Sequence, residues 1–268
     1  MFTPEMLALL QPPTAQDDKY SRGVVGFRTG SVEYPGAAIL GVTAAMRTGV
    51  GMIRYWGPSE VSNLLLEVRP EVVCGEGKVQ AAVLGSGVPT DGSQADAIRA
   101  YEQGDELLVL DAGALALIDF GALAPATAVL TPHAGEMARL LDRLGISIEF
   151  DYEAAQRVAL ALGQFVLLKG STTFIASPFG QVVSVGPNPA ALATAGTGDV
   201  LAGILGALFA HNRAALADDE AMMTTIELGV LLHSAAADLA SQDGPVAALD
   251  VAEAVRSVVR DAQEESHA

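Results

Sequence analysis

The segment Ala193-Thr194-Ala195-Gly196-Thr197-Gly198-Asp199 carries the strongest chemical signal in the chain: two closely spaced glycines, an acid, and then an apolar helical stretch. Closely spaced glycines let backbone N–H groups converge, and the following helix adds the positive end of its dipole. The product is an anion hole suited to a phosphoryl group, with an aspartate at its edge that can act as a base. The plainer reading is that Asp199 caps the helix or complements its dipole. A Gly-x-Gly-Asp standing alone favours that reading; the other loops of this chain reverse the balance.

Those loops lie where chemistry is expected, because ligands of an open α/β sheet bind beyond the carboxyl ends of the strands. The residues that follow successive apolar runs are Gly85-Ser86-Gly87, Asp111-Ala112-Gly113, Thr131-Pro132-His133-Ala134-Gly135-Glu136 and Lys169-Gly170-Ser171-Thr172-Thr173, and the 30–38 loop joins the same rim. Lys169, set before a glycine and three hydroxyl residues, suits phosphate binding. Its alternative is a strand-end lysine paired with a buried acid. His133 reads as a substrate contact or as a turn residue, Glu136 as a first-turn acid and Asp111 as a cap of the next turn. His233 reads as a satisfied helix residue, and His211 and His267 stand in no informative pattern. Arg22, Arg47 and Arg54 can offset an acidic field near a ligand, yet no spacing singles one out.

The elements that must position these loops alternate. Val24-Val25, Met52–Trp56, Ala81–Leu84, Leu107–Leu110, Ala128–Leu130 and Phe165–Leu168 read as buried strands. Pro35–Thr48, Ser59–Val68, Ser93–Gln103, Gly135–Leu144 and Tyr152–Leu162 read as helices between them. Continuous apolar strands joined by crossover helices imply a mostly parallel sheet covered on both faces. Thr172–Ala176 and Val182–Val185, flanking Ser177-Pro178-Phe179-Gly180, predict an antiparallel hairpin at one edge. Three helices are expected to follow, over Asp199–Ala210, Glu220–Ser241 and Val246–Asp261, with a frayed acidic tail from Gln263 to Ala268. No repeat or linker interrupts the pattern, so residues 1–268 are expected to form a single domain.

Composition limits the partners. The 268 residues are 50% hydrophobic, enough for a large core. Fifteen Lys and Arg stand against 32 Asp and Glu, and the net charge of −17 argues against nucleic acid or an anionic membrane as partner. Cys74 is the only cysteine, which removes an intramolecular disulfide and a cysteine-based zinc site. The most apolar run, Val200–Ala210, is too short to span a bilayer. No basic start precedes an apolar run in residues 1–20, so no signal peptide is expected, and the expected location is cytoplasmic.

The motifs together resemble the ADP-dependent NAD(P)H-hydrate dehydratases, members of the ribokinase-like superfamily. The resemblance runs from Lys19-Tyr20-Ser21-Arg22-Gly23 through Tyr34-Pro35-Gly36-Ala37-Ala38, Val109-Leu110-Asp111-Ala112, Thr131-Pro132-His133 with Gly135-Glu136, and Leu168-Lys169-Gly170 to Asn188-Pro189 and Gly196–Asp199. Three loops depart from the family pattern, the first being Thr29-Gly30-Ser31 in place of Gly-Gly-Ser. Gly85-Ser86-Gly87-Val88-Pro89 has proline for the last glycine of Gly-Pro-Gly-x-Gly, and Asp111-Ala112-Gly113 lacks the second acid of Asp-Ala-Asp.

The resemblance implies a three-layer αβα ribokinase-like fold with a central, mostly parallel sheet. It also implies repair of nicotinamide cofactors: dehydration of the (6S)-hydrate of NADH or NADPH, with ADP as co-substrate. Ala37, Gly87 and His133 would contact the hydrate and Asp199 would face its hydroxyl. Lys169, Gly170, Ser171, Thr172 and Thr173 would hold the adenine nucleotide, with the Gly196, Thr197 and Gly198 amides on the transferred phosphoryl group. Mg²⁺ would arrive with the nucleotide, with no metal site of the protein's own. The resemblance also implies a homo-oligomer, with a homotetramer among the states considered. A hydroxymethylpyrimidine- or thiazole-type kinase would use the same anion hole and aspartate, and a nucleotide-binding regulatory protein would keep the hole without turnover. Thr131-Pro132-His133 and the Lys169 segment favour the dehydratase.

Overall fold

The computed structural model describes residues 2–148, 152–216 and 218–266. Nine strands form one sheet: β1 Val24–Arg28, β2 Met52–Tyr55, β3 Val73–Cys74, β4 Ala81–Leu84, β5 Leu107–Leu110, β6 Ala128–Leu130, β7 Phe165–Leu168, β8 Thr173–Ala176 and β9 Val182–Val185. Their spatial order is β3-β2-β1-β4-β5-β6-β7-β8-β9, parallel as far as β7 and antiparallel for the β8–β9 edge. The order reverses between β1 and β4, so the loops after those strands diverge and leave a crevice.

Among the described residues ten α-helices accompany the sheet: α1 Pro4–Ala8, α2 Pro35–Thr48, α3 Ser59–Val68, α4 Ala95–Arg99, α5 Ala114–Leu117, α6 Ala134–Leu144, α7 Tyr152–Leu162, α8 Thr197–His211, α9 Asp219–Ala240 and α10 Ala248–Glu265. Alternation along each strand sends one set of side chains to each face. Val83 and Val109 enter the core shared with α2, α3, α8 and α9, whereas Leu84 and Leu110 enter the core under α4–α7. A third cluster joins α1 and α10 to α8 and α9. Helix α8 is therefore enclosed on all sides, which is why its sequence from Val200 to Ala210 is apolar throughout. Contact between α2 and α8 needs Gly203, where a Cβ would collide with the Gly41 backbone.

Three expectations are corrected. Strand β1 continues past Val25 through Arg28, because Gly26 leaves room for the Trp56 ring to lie over the sheet. The helix expected over Ser93–Gln103 is confined to Ala95–Arg99. Beyond it the backbone closes i→i+3 turns at Tyr101, Glu102 and Gly104, while Tyr101 packs on Trp56 and Glu102 accepts the Asp119 N–H. The C-terminus stays helical through Glu265 rather than fraying from Gln263, since Gln263 donates to the Leu10 carbonyl. The remaining tail residues, His267 and Ala268, lie outside the described residues. Helices α1 and α5 and strand β3 are short elements with no periodic signal.

Candidate active site

One buried carboxylate organises the rim. Asp111, just after β5, accepts hydrogen bonds from Ser86 after β4 (2.9 Å), Thr131 after β6 (2.8 Å) and Lys169 Nζ after β7 (2.7 Å). Four loops from four adjacent strands are thus tied to a side chain 3% exposed. Burial pushes the Asp111 carboxyl up, but the Lys169 ammonium and the three donors outweigh it and hold it below the usual range. Asp111 is the counter-ion of Lys169 rather than a turn cap. Burial would lower Lys169 in turn, and Asp111, Glu136 and Asp199 keep it above its usual value, so it stays charged.

The backbone N–H of Lys169 donates to the Pro132 carbonyl, and His133 and Lys169 form a parallel bridge that sets their loops side by side. His133 begins α6 by accepting the Gly135 and Glu136 N–H groups on Nδ1 (2.9 and 3.4 Å), and Glu136 accepts the His133 N–H at 2.8 Å. This capping box, the turn role read from the sequence, fixes the ring while leaving its side chain 57% exposed at the rim.

Opposite Lys169 stands the glycine turn. Gly196 takes the left-handed conformation (φ 93°) as the residue before α8, and no side chain caps that helix. Asp199 is therefore not a cap. Its carboxylate accepts no hydrogen bond among the described residues, and burial, reinforced by Asp111 and only partly offset by Lys169, pushes it up to about 7. An aspartate held there exchanges its proton near neutrality, as a general base should. Gly198 lies against the lysine: a Cβ built on it would come within 3.4 Å of Lys169 Nζ.

A cavity of about 480 Å³ opens beside this turn, lined by His133, Lys169, Gly170, Ser171, Thr173, Thr197 and Gly198 from the predicted set. Thr172, Gly196 and Asp199 are not on its wall. The Thr172 hydroxyl packs toward Gly186, and Gly196 faces Leu40 and Ala248. A second cavity, about 780 Å³, is lined by Gly87, Tyr34, Pro89, Gly113, Glu136 and Arg139. Ala37 borders Gly87, where a Cβ would fall 2.6 Å from the alanine Cβ. Two of the three departures from the family motifs meet here, since Gly113 packs against the Val88 carbonyl and has no room for a side chain.

Sequence reasoning missed Asn188 as a hub. Its amide donates to the Gly170 carbonyl and Thr173 Oγ1, both at 2.9 Å, and its Oδ1 accepts from Ser234 at 3.0 Å. Asn188-Pro189 stood within the resemblance, a signal without a role. His233, expected to be satisfied, instead lines the 480 Å³ cavity with Nε2 buried and unpartnered. Burial pushes its imidazole down to about 4, so the ring is neutral. No group of three or more His, Cys, Asp or Glu able to hold a metal occurs among the described residues.

Comparisons with known proteins show the family. The sequence profile of the NAD(P)H-hydrate dehydratase family matches residues 25–258. The bifunctional NAD(P)H-hydrate repair enzyme Nnr of Mycobacterium tuberculosis (strain ATCC 25618 / H37Rv) is 41% identical over 75% of this chain. The aligned part is 43% of that relative, so the chain spans less than half the length of this bifunctional relative. The ADP-dependent (S)-NAD(P)H-hydrate dehydratase of Neisseria meningitidis serogroup B is 32% identical over 84% of this chain and 80% of its own. The solved ADP/ATP-dependent NAD(P)H-hydrate dehydratase from Bacillus subtilis, co-crystallised with ATP/Mg²⁺, has a TM-score of 0.82 at 28% identity and covers 97% of both chains. Ribokinase from Thermotoga maritima, 12% identical with a TM-score of 0.51, shares the fold alone. With this α/β, ribokinase-like architecture and a family profile matched over most of its length, the chain belongs to the NAD(P)H-hydrate dehydratase family.

Proposed function

We propose that this protein dehydrates the (6S)-hydrate of NADH or NADPH, using ADP and releasing NAD(P)H, AMP and phosphate. The observation that carries the reading is that Lys169, Thr197 and Gly198 line one cavity while Asp199, partner-free and with a pKa near 7, stands just behind its wall against Gly196 of the same turn. Hydroxide is a poor leaving group, so the hydroxyl is phosphorylated first. Asp199 takes its proton as the oxygen attacks the terminal phosphorus of ADP, and AMP leaves. Amides of Gly196, Thr197 and Gly198 hold the charge of the transferred group, while Lys169 and Ser171–Thr173 hold the nucleotide. The phosphorylated carbon then loses phosphate as a proton leaves the neighbouring ring carbon, restoring the dihydronicotinamide double bond.

Ala37, Gly87 and His133 contact the hydrate in this reading. Mg²⁺ fits the site as a companion of the nucleotide: Lys169 and backbone amides are suited to phosphate oxygens, and no carboxylate cage among the described residues competes for the ion. When bound it neutralises diphosphate charge. A homo-oligomer in the cytoplasm belongs to the same proposal. Leu64 and Val68, one turn apart on α3, and Val73 on the edge strand are exposed apolar residues consistent with self-association, and the lone Cys74 is a free thiol. No described helix is long and apolar enough to cross a membrane.

The direct test incubates the protein with hydrate, ADP and Mg²⁺ and follows reduced-nicotinamide absorbance. A phosphorylated product that persists would replace the dehydratase with a kinase. The pH profile has a defined sign. Asp199 is protonated, and useless as a base, below about pH 7, so kcat/KM should rise through that value and level off above it. A flat profile from pH 6 to 8 would remove Asp199 as the base. His133→Ala should raise the KM for hydrate with ADP affinity nearly unchanged, and lose about 1 kcal/mol of stability with the α6 cap. His133→Asn, which can still cap, should recover the stability but not the KM.

A further inference from the structure

At the opposite end of the sheet from Asp199, where β1 and β2 begin, lies a recess of about 310 Å³ between the last turns of α2 and α8 and the outer turns of α10. Its walls carry Arg22, Arg47, His211, Arg256 and Arg260 and no acidic residue. In a chain with a net charge of −17 and only 15 Lys and Arg, four arginines gather in one recess. Arg22 comes from the Lys19–Gly23 segment, a family-like motif that takes no part in the Asp199 site.

Helix ends explain some of this cluster, because cations are favourable where helix carbonyls emerge. Arg22 donates through Nη2 to the Gly49 carbonyl that closes α2, His211 Nδ1 contacts the Arg22 carbonyl, and Arg47 pairs with Glu253. They do not explain α10. Arg256 and Arg260 stand one turn apart on an exposed row of that helix. Arg260 pairs with its neighbour Asp261 at the surface and also feels Glu264, and Arg256 has no ion-pair partner among the described residues. Arg22 Nε is buried with no hydrogen-bond acceptor.

We propose that this recess is a second anion site, distinct from the nucleotide cavity, for a small phosphate-bearing ligand such as phosphate or diphosphate. Guanidinium groups suit phosphate oxygens because their fork of donors engages two oxygens at once. An acidic segment of another protein is the competing occupant of a basic surface, and a recess enclosed by three helices favours the compact anion.

The test measures binding of labelled diphosphate by equilibrium dialysis without divalent cations. It compares the wild type, Arg256→Gln/Arg260→Gln, and Lys169→Ala/Asp111→Asn. Both arginines are exposed on a helix, so the first variant should fold normally. The expected result is that the arginine variant weakens one site by at least about tenfold, a difference readable directly as Kd. The Lys169 variant should keep that site. Identical isotherms for the wild type and the arginine variant would overturn the proposal, as would loss of all diphosphate binding in the Lys169 variant. A change of oligomeric state in the arginine variant with diphosphate binding unaltered would overturn it too, by assigning the recess to a protein contact.

Discussion

Asp199→Asn is expected to lower kcat by about 10²–10⁴, the usual worth of a positioned proton transfer. Asparagine keeps the shape of the side chain and removes its basicity. ADP affinity should hold or rise, because a carboxylate no longer repels phosphate beside the anion hole. Stability adds an independent readout. The folded protein raises the Asp199 pKa from 3.8 to about 7, so the native state favours the neutral carboxyl. Below pH 3.8 that preference costs nothing; between the two values it accumulates as the unfolded chain ionises and the native one does not. The relative loss is complete once pH exceeds about 7. The variant should therefore melt at the same or a higher temperature than wild type at pH 8, with the gap closing toward pH 4. Near-normal turnover, or a lower melting temperature at pH 8, would return Asp199 to a structural role.

Removing the lysine should have the largest effect on ADP. Lys169→Ala deletes the cation beside Gly198 and also strands the buried Asp111 carboxylate, which it pairs at 2.7 Å. Breaking a buried pair from one side costs about 3–5 kcal/mol, so the single variant should be markedly less stable as well as weak for ADP. The two effects separate in Lys169→Ala/Asp111→Asn, where the neutral amide can accept from one of the Ser86 and Thr131 hydroxyls and donate to the other. Stability should return toward wild type while the Kd for ADP, measured calorimetrically, stays raised by tenfold or more, roughly the value of a charge-assisted contact to phosphate. Hydrate binding should change less. Full recovery of ADP affinity in the double variant would confine Lys169 to holding Asp111.

Local chemistry was enough to read most of the frame. Strands β4 to β7 stand in the sequence as continuous apolar runs because both of their faces are covered, and glycine, proline and aspartate mark where each chain leaves the sheet. The Gly196–Asp199 turn was legible for the same reason: closely spaced glycines before an apolar helix restrict what the backbone can do. Partnership between distant loops was not legible. Ser86, Asp111, Thr131 and Lys169 follow four different strands, and only the parallel order of β4-β5-β6-β7 brings their side chains to one carboxylate. That same convergence decides which aspartate can be a base: Asp111 is buried among donors and stays ionised, while Asp199 is half-buried without one and rises to about 7. Nothing in the residue types separates the two acids. Burial and partners set the charge of each, and both are consequences of packing between segments far apart in the chain.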